Sequence, residues 1–203
     1  MERVIPVFID SQCLRSLVTS ALEVYNRETN GALIGKLSVR KIRGKRRRVM
    51  SIKDIYVYQT DIRKPSEVYH GNISAYKRVL NSLRSMKMNI VGGYHSHAFP
   101  YNCSRLSADD ILFAEEEMEA INKSRYHANL SRWLEILLSL RKWESKKKHR
   151  TGWEIKKLSK KLRVIVATSE RIKYDVFVSA YWITFMDGKP RVREARVFTP
   201  WVV

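Results

Sequence analysis

Two histidines one residue apart, followed by a serine and an aspartate at a helix start, give the sequence a candidate metal site. His95 and His97 end a predicted strand, and alternate strand side chains point to one face, so both imidazoles can reach the same ion. Asp110 follows Ser107 at Ser-x-x-Asp spacing, at the start of a predicted helix over 108–122. Two histidines and one carboxylate leave a position open on zinc, which is typical of a catalytic site.

Each part of this pattern has a plainer interpretation as well. Ser107 as a simple helix cap, with Asp110 as a charge at the positive end of the helix, would look the same in the sequence. Asp109 is the alternative third ligand, although only Asp110 preserves the Ser-x-x-Asp spacing. Cys103 lies in the preceding loop, where a packed cysteine is favoured over a soft metal ligand or a redox group.

A glutamate far upstream turns the metal proposal into a specific resemblance. Glu28 precedes the predicted strand Gly31-Ala-Leu-Ile-Gly35. A Glu before a Gly-x-Leu-x-Gly strand, then His-x-His, then Ser-x-x-Asp, resembles the JAMM (MPN+) family of zinc metalloproteases. The resemblance covers roughly residues 5–140. The sequence departs from the family at Ala98, where a proline is usual, and in the nine residues between His97 and Ser107, which exceed the usual number.

The resemblance implies a complete hydrolytic site. His95, His97 and Asp110 would bind Zn²⁺, Glu28 would be the general base, and Ser107 would stabilise the oxyanion. Zinc makes its water acidic, a nearby carboxylate can take the proton, and the oxyanion needs a hydrogen-bond donor or the metal. The implied reaction is hydrolysis of the peptide or isopeptide bond after the Gly-Gly tail of ubiquitin or a ubiquitin-like modifier, in deconjugation or precursor processing.

The resemblance also implies partners and a way of recognising them. The partners would be ubiquitin or ubiquitin-like conjugates, together with a proteasome-like complex or another MPN subunit. An extended tail can add as a strand to an exposed sheet edge and so reach the metal. The main alternative is a catalytically inactive scaffold subunit of a larger complex. Some family members with this fold have lost the metal ligands and serve in that role.

For the fold, the resemblance implies one α/β domain over residues 1–203, an MPN domain with a mixed twisted sheet flanked by helices. The residue pattern predicts a helix over about 12–27, because apolar side chains recur there at helical spacing. Strands 32–39 and 49–59 are predicted to form a hairpin. A basic, hairpin-like insertion is expected at about 144–163.

The net charge of +19 indicates attraction to acidic partners. Basic residues concentrate in two clusters, at 40–48 and at 141–163. Solvated hairpin tips are the favoured interpretation of both. A basic nucleic-acid-associated protein is the weaker alternative, because aromatic residues do not alternate with the basic ones as single-strand binding would favour.

Composition also bears on localisation. The sequence has no apolar run long enough to span a membrane, and its first residues lack the layout of a signal peptide. Two cysteines provide no disulfide framework. A cytoplasmic protein is therefore expected.

Overall fold

A computed structural model describes residues 4–58, 62–64, 67–69, 73–98, 105–123, 130–187 and 189–202. These residues contain three helices and twelve strands, in the following order. The elements are β1 Val7–Ile9, α1 Ser11–Glu23, β2 Asn30–Ile42, β3 Lys45–Val57, β4 Ile62–Lys64, β5 Glu67–Tyr69, α2 Ile73–Ser85, β6 Ile90–His97, α3 Ala108–Lys123, β7 Trp133–Glu144, β8 Gly152–Leu158, β9 Lys161–Ala167, β10 Ile172–Met186, β11 Lys189–Ala195 and β12 Val197–Phe198.

Ten of the strands form one sheet with the order β12-β1-β3-β2-β6-β7-β10-β9-β8, and β11 pairs with the remaining length of β10. Neighbours are antiparallel except β1 with β12, β1 with β3 and β6 with β7. The sheet curls into a half-barrel. Its two ends approach each other, since the Val197 amide donates to the Lys160 carbonyl at 2.8 Å.

The predicted fold class, an α/β MPN domain with a helix-flanked sheet, is wrong: the protein is mostly β. The three helices hold 13, 13 and 16 residues, and every element after α3 is a strand. The stretch 144–163, expected as an insertion, contributes β8 and the start of β9 to the main sheet. The motifs behind the resemblance lie on β2, on β6 and at the start of α3, whereas the rest of the sheet is set by long-range pairing of strands rich in β-branched and aromatic residues that carry no motif.

The hairpin predicted from residues 32–39 and 49–59 is confirmed, with the basic cluster at its tip. Strands β2 and β3 are joined by Arg43 and Gly44, which both have positive φ, at 49° and 76°. Two such residues are what a type I′ turn requires, and this turn matches the twist of the flanking strands. Glycine meets that requirement freely, whereas arginine is uncommon there.

The core has two main parts, one on each face of β7. Leu134, Ile136 and Leu138 pack with the apolar stripe of α1. Trp133 packs on the other face with residues of α3, including Met118. Burying each of these large side chains contributes about 1.5–3 kcal/mol, so β7 is fixed from both sides. In the described part of the chain, no helix has the length and hydrophobicity needed to cross a membrane.

Candidate metal centre

The two histidines lie at the end of β6, a strand buried along its whole length. Gly92, three residues before His95, has no room for a side chain, because a Cβ there would come within 1.8 Å of the Leu134 carbonyl oxygen on β7. This close approach of two backbones sets β6 beside β7 in parallel register. His95 and His97 therefore project from a strand that its neighbours hold on both sides.

The ring nitrogens and one carboxylate meet at a single point. His95 Nε2 lies 3.2 Å from His97 Nε2 and 3.3 Å from Asp110 Oδ1. His97 Nε2 lies 3.4 Å from Asp110 Oδ2. Two ligand atoms bound tetrahedrally at the usual zinc distances are roughly 3.3 Å apart. The donor set and its spacing therefore fit a zinc ion.

Asp110 is held by a reciprocal cap at the start of α3. The Ser107 amide donates to Asp110 Oδ2 at 2.6 Å, and the Asp110 amide donates to Ser107 Oγ at 3.1 Å. This is the capping-box arrangement with Asp in place of Glu. Ser107 thus caps the helix, as the plainer interpretation expected, and the same contacts place Asp110 toward the histidines. The serine hydroxyl keeps its own proton available for donation, because in this bond it is the acceptor.

Glu135 is a residue of the candidate site that sequence reasoning missed. Its Oε1 lies 2.7 Å from His95 Nδ1, and because a carboxylate only accepts, Nδ1 carries the proton. With a metal bound, His95 would be neutral and would present Nε2 to the ion, and orienting the ring in this way is the usual role of a carboxylate behind a ligand histidine. The Trp133 indole donates to Oε2 at 2.6 Å. The available signal was a carboxylate inside the apolar run Trp-Leu-Glu-Ile-Leu-Leu.

Gly93 makes room for this carboxylate. It pairs with Glu135 across β6 and β7. A Cβ at Gly93 would lie 3.0 Å from the Trp133 ring and 3.2 Å from Glu135 Oε2. Both contacts are tighter than ordinary packing, so a larger residue at this position would push on the group that orients His95.

Glu28 reaches the site from the segment between α1 and β2, and α1 ends at Glu23, earlier than the predicted helix over about 12–27. Ser96, between the two histidines, fixes this segment to β6: its Oγ accepts from the Thr29 amide at 3.0 Å, and its amide donates to the Thr29 carbonyl at 2.9 Å. Ser96 is fully buried. Its two bonds place Glu28 in the same cleft as His95 and Asp110.

Burial and charge have opposite effects on the ionisable groups. Burial lowers the pKa of His95, but hydrogen bonds with Asp110 and Glu135 outweigh burial and raise the pKa to about 10. Burial would raise the pKa of Asp110, yet its bonds with His95 and His97 hold that pKa well below its usual range. Burial raises the pKa of Glu28, with the histidines opposing the shift and Asp110 adding to it. Glu28 is thus a carboxyl group with increased proton affinity.

The cleft in front of these residues has a volume of about 470 Å³. Its lining combines apolar side chains, among them Tyr58, Leu112 and Phe113, with six carboxylates. The carboxylates belong to Glu28, Asp109, Asp110, Glu116, Glu117 and Glu135. In a chain with a net charge of +19, this is a local concentration of negative charge.

Asn30 is a second residue that sequence reasoning missed. It pairs with His95 across β2 and β6, and directly opposite residues of a pair share a face. Its side chain is 3% exposed and lines the cleft. Among the described residues, neither its amide nitrogen nor its amide oxygen has a hydrogen-bond partner. An unpaired buried amide is costly unless a ligand or water completes it.

The remaining candidates are placed as follows. Asp109 lines the cleft, but the carboxylate grouped with the two histidines is that of Asp110. Cys103 and residues 99–104 of the loop after Ala98 lie outside the described residues. The ligand-bearing strand β6 and its neighbours β2 and β7 are interior strands of the sheet, so none of the three offers the exposed edge to which an extended tail was expected to add.

Comparison with known proteins adds evidence on the fold alone. No protein-family model matches the chain, and no curated protein matches it. Among solved structures, the chain is similar to the solution structure of a Desulfitobacterium hafniense protein determined by a structural genomics consortium. The two are 14% identical, with a TM-score of 0.51 over 95% of this chain and 92% of that one. At this identity the likeness concerns the arrangement of the chain and carries no activity.

Proposed function

We propose that the protein is a zinc-dependent metallopeptidase that hydrolyses the peptide or isopeptide bond after a Gly-Gly tail of the kind that ends ubiquitin and ubiquitin-like modifiers. The observation that carries the proposal is the convergence of His95, His97 and Asp110 at zinc-ligand spacing, with Glu28 in the same cleft. These residues come from three separate segments of the chain. A chance pair of histidines on a strand would not account for the accompanying carboxylates.

Bound zinc would supply an acidic water and a polarised scissile carbonyl. Glu28 takes the proton of the attacking water and passes it to the departing amine. The raised pKa of Glu28 brings that carboxyl closer to the working pH, which favours both transfers. No covalent intermediate with the protein is required.

Two further groups have roles in holding the substrate. The Ser107 hydroxyl has a proton to donate, which suits the developing oxyanion. The Asn30 amide has both a donor and an acceptor without partners among the described residues, which suits the amide group of an extended peptide. Substrate binding would supply the missing hydrogen-bond partners of this amide. The free energy that its unpaired burial costs in the free protein would then favour substrates able to form these bonds.

The cleft also indicates the charge of the substrate. Asp109, Glu116 and Glu117 line it beside the metal ligands, so a tail carrying Arg or Lys next to the Gly-Gly end is preferred over an acidic one. Because β2, β6 and β7 are interior strands, the tail lies along the cleft lining instead of adding to the edge of one of them.

The decisive experiment offers the zinc-loaded protein a panel of Gly-Gly-tailed fusion proteins. The panel contains one tail with basic residues before the Gly-Gly and a matched tail with acidic residues there. We expect cleavage after the second glycine, faster for the basic tail, and complete loss of cleavage with a chelator. Mass spectrometry of the products identifies the bond that is broken.

Metal analysis after purification without chelator separates the alternatives. Stoichiometric zinc with cleavage supports the proposal. Stoichiometric zinc without cleavage of any tail would contradict the Gly-Gly substrate class. Absence of bound metal, with Asp110→Ala changing no property, would favour a catalytically inactive scaffold. Stoichiometric iron would indicate a different chemistry, since two histidines and one carboxylate also bind iron(II) in oxygenases.

A further inference from the structure

The two basic clusters, separate in the sequence, meet in the fold. The tip of the β2–β3 hairpin carries the first, and the β8–β9 hairpin carries part of the second. Curling of the sheet brings these hairpins together around β12. Lys157 of β8 lies over the Phe198 ring of β12 at 4.1 Å and donates to the Val197 carbonyl. The result is a single basic surface that neither cluster forms alone.

Three adjoining cavities run along this surface. The largest, of about 710 Å³, lies between the hairpin tip and β12, and its cations are Arg46, Arg47, Arg48, Arg132, Lys160 and Arg196. A second, of about 400 Å³, shares Arg47 and Arg196 with it and adds Arg43 and Lys157. A third, of about 270 Å³, shares Arg132 and adds Arg191 and Arg193. We call the three together the basic groove.

The basic groove has almost no negative charge of its own. Glu194 is the single carboxylate in the lining of the three cavities, and it pairs with Lys160 and Lys161 at 3.5 and 3.8 Å. Over the described ranges, Arg46, Arg47 and Arg196 form no ion pair with a carboxylate. The guanidinium groups of these three arginines are therefore available to an external anion.

The protein tolerates repulsion to keep these cations together. Directly opposite residues on β2 and β3 include the like-charged pairs Arg40 with Arg47 and Lys41 with Arg46. Like charges directly opposite on a sheet destabilise it. Lys157 has its pKa lowered to about 8 by burial and by the nearby Arg43 and Arg196. An anion in the groove would relieve both sources of repulsion.

We propose that the basic groove binds the sugar–phosphate backbone of single-stranded nucleic acid. Arginine predominates over lysine in the lining, and its planar fork matches phosphate oxygens in two-point contacts. Three linked cavities suit a chain of regularly spaced phosphates better than one isolated anion. The two larger cavities have the volume of a small-molecule site, which admits a segment of a single strand, while a duplex would rest on the rim.

The basic groove is separate from the metal cleft. Arg132 stacks over the Trp182 ring at 5.2 Å, and Trp182 belongs to the core part that packs with α1. Trp133, which lines the metal cleft, belongs to the other core part. Nucleic acid would therefore anchor the protein without entering the cleft, and the inference does not depend on the proposed hydrolysis.

The test measures binding of a labelled single-stranded oligonucleotide of about 16 nucleotides by fluorescence anisotropy over a series of salt concentrations. The groove variant is Arg46→Glu/Arg196→Glu. Its matched control is Lys146→Glu/Lys147→Glu, which makes the same change in net charge at exposed positions outside the groove. We expect the groove variant to bind at least about tenfold more weakly, with a salt slope shallower by about 1.4, and the control to change binding less than about twofold.

Several results would overturn the proposal. Equal weakening by the two variants would show a response to overall charge alone. An acidic peptide or anionic lipid vesicles bound more tightly than the oligonucleotide at equal salt would assign the groove to another partner. Circular dichroism checks the folding of each variant. The single substitution Arg47→Gln, which replaces the guanidinium with a shorter, neutral amide, repeats the test if the double variant does not fold. Unchanged binding by Arg47→Gln in that case would also overturn it.

Discussion

The metal cleft and the basic groove handle their charges in opposite ways. In the cleft, charged and polar groups bind one another: Glu135 holds His95, and Ser107 holds Asp110. In the groove, cations face cations, as Lys41 faces Arg46. A centre whose charged groups are already paired is built in advance of its ligand, while a surface on which cations outnumber carboxylates is completed by an anionic ligand. The first arrangement suits chemistry, which needs fixed geometry, and the second suits attraction of a polyanion.

The largest expected effect comes from removing the base of the cleft. In Glu28→Gln, the side chain keeps its size but loses the ability to take a proton, so we expect cleavage of a Gly-Gly fusion to fall by about 10²–10⁴-fold. Zinc content stays unchanged because Glu28 is not one of the ligands. Glu119→Gln, the same substitution at an exposed position of α3 outside the cleft lining, is the matched control and should retain most of the rate. An unchanged rate in Glu28→Gln would mean that another group carries the proton.

The next largest expected effect is a loss of zinc affinity when the group that orients His95 is altered. Glu135 accepts from both the His95 ring and the Trp133 indole. A glutamine in its place has one acceptor oxygen, so either the tryptophan loses its acceptor or the amide faces His95 Nδ1 and moves the ring proton to Nε2. We therefore expect Glu135→Gln to weaken zinc affinity by about 10–100-fold.

Competition with a chelator of known affinity measures this change. Glu144→Gln is the matched control, since it makes the same substitution on the same strand at an exposed position that pairs with Lys142. The control should leave zinc affinity unchanged. Equal affinity of Glu135→Gln and the unaltered protein would limit Glu135 to a structural role.

The metal cleft and the basic groove also differ in how far the sequence could predict them. The spacing His-x-His and Ser-x-x-Asp are local patterns, and strand alternation and helix capping turn them directly into geometry. Glu28 was found through its motif, although the predicted helix end proved to be a connecting segment. Glu135 needed knowledge of which strand lies beside β6. That is a long-range pairing, and no periodicity along one strand records it.

Neither the sheet fold nor the basic groove could be predicted from the sequence, and the reason is the same for both. Strands β7, β9 and β10 are recognisable from their β-branched and aromatic residues, but the curling of the sheet also involves contacts such as Trp153 with Trp201, at 5.0 Å between ring centres. These contacts join residues almost fifty positions apart. Because the two basic clusters meet only through that curling, the sequence showed two charged tips where the fold makes one surface.

The smallest expected effect concerns the stability that the free protein loses by keeping like charges opposite one another beside the groove. Arg46→Glu replaces repulsion from Lys41 with attraction directly across the hairpin. We expect the free energy of unfolding in urea to rise by about 0.2–1 kcal/mol at low salt, and the gain to shrink as salt screens the pair. Lys41→Glu/Arg46→Glu restores like charges and should cancel the gain, and with the single variant Lys41→Glu it completes a double-mutant cycle. A lower stability in Arg46→Glu would mean that Arg46 supports the hairpin, and that the groove cations are not kept at a cost to the free protein. A gain in stability accompanied by weaker oligonucleotide binding would instead show that the cations are retained at a cost to the fold.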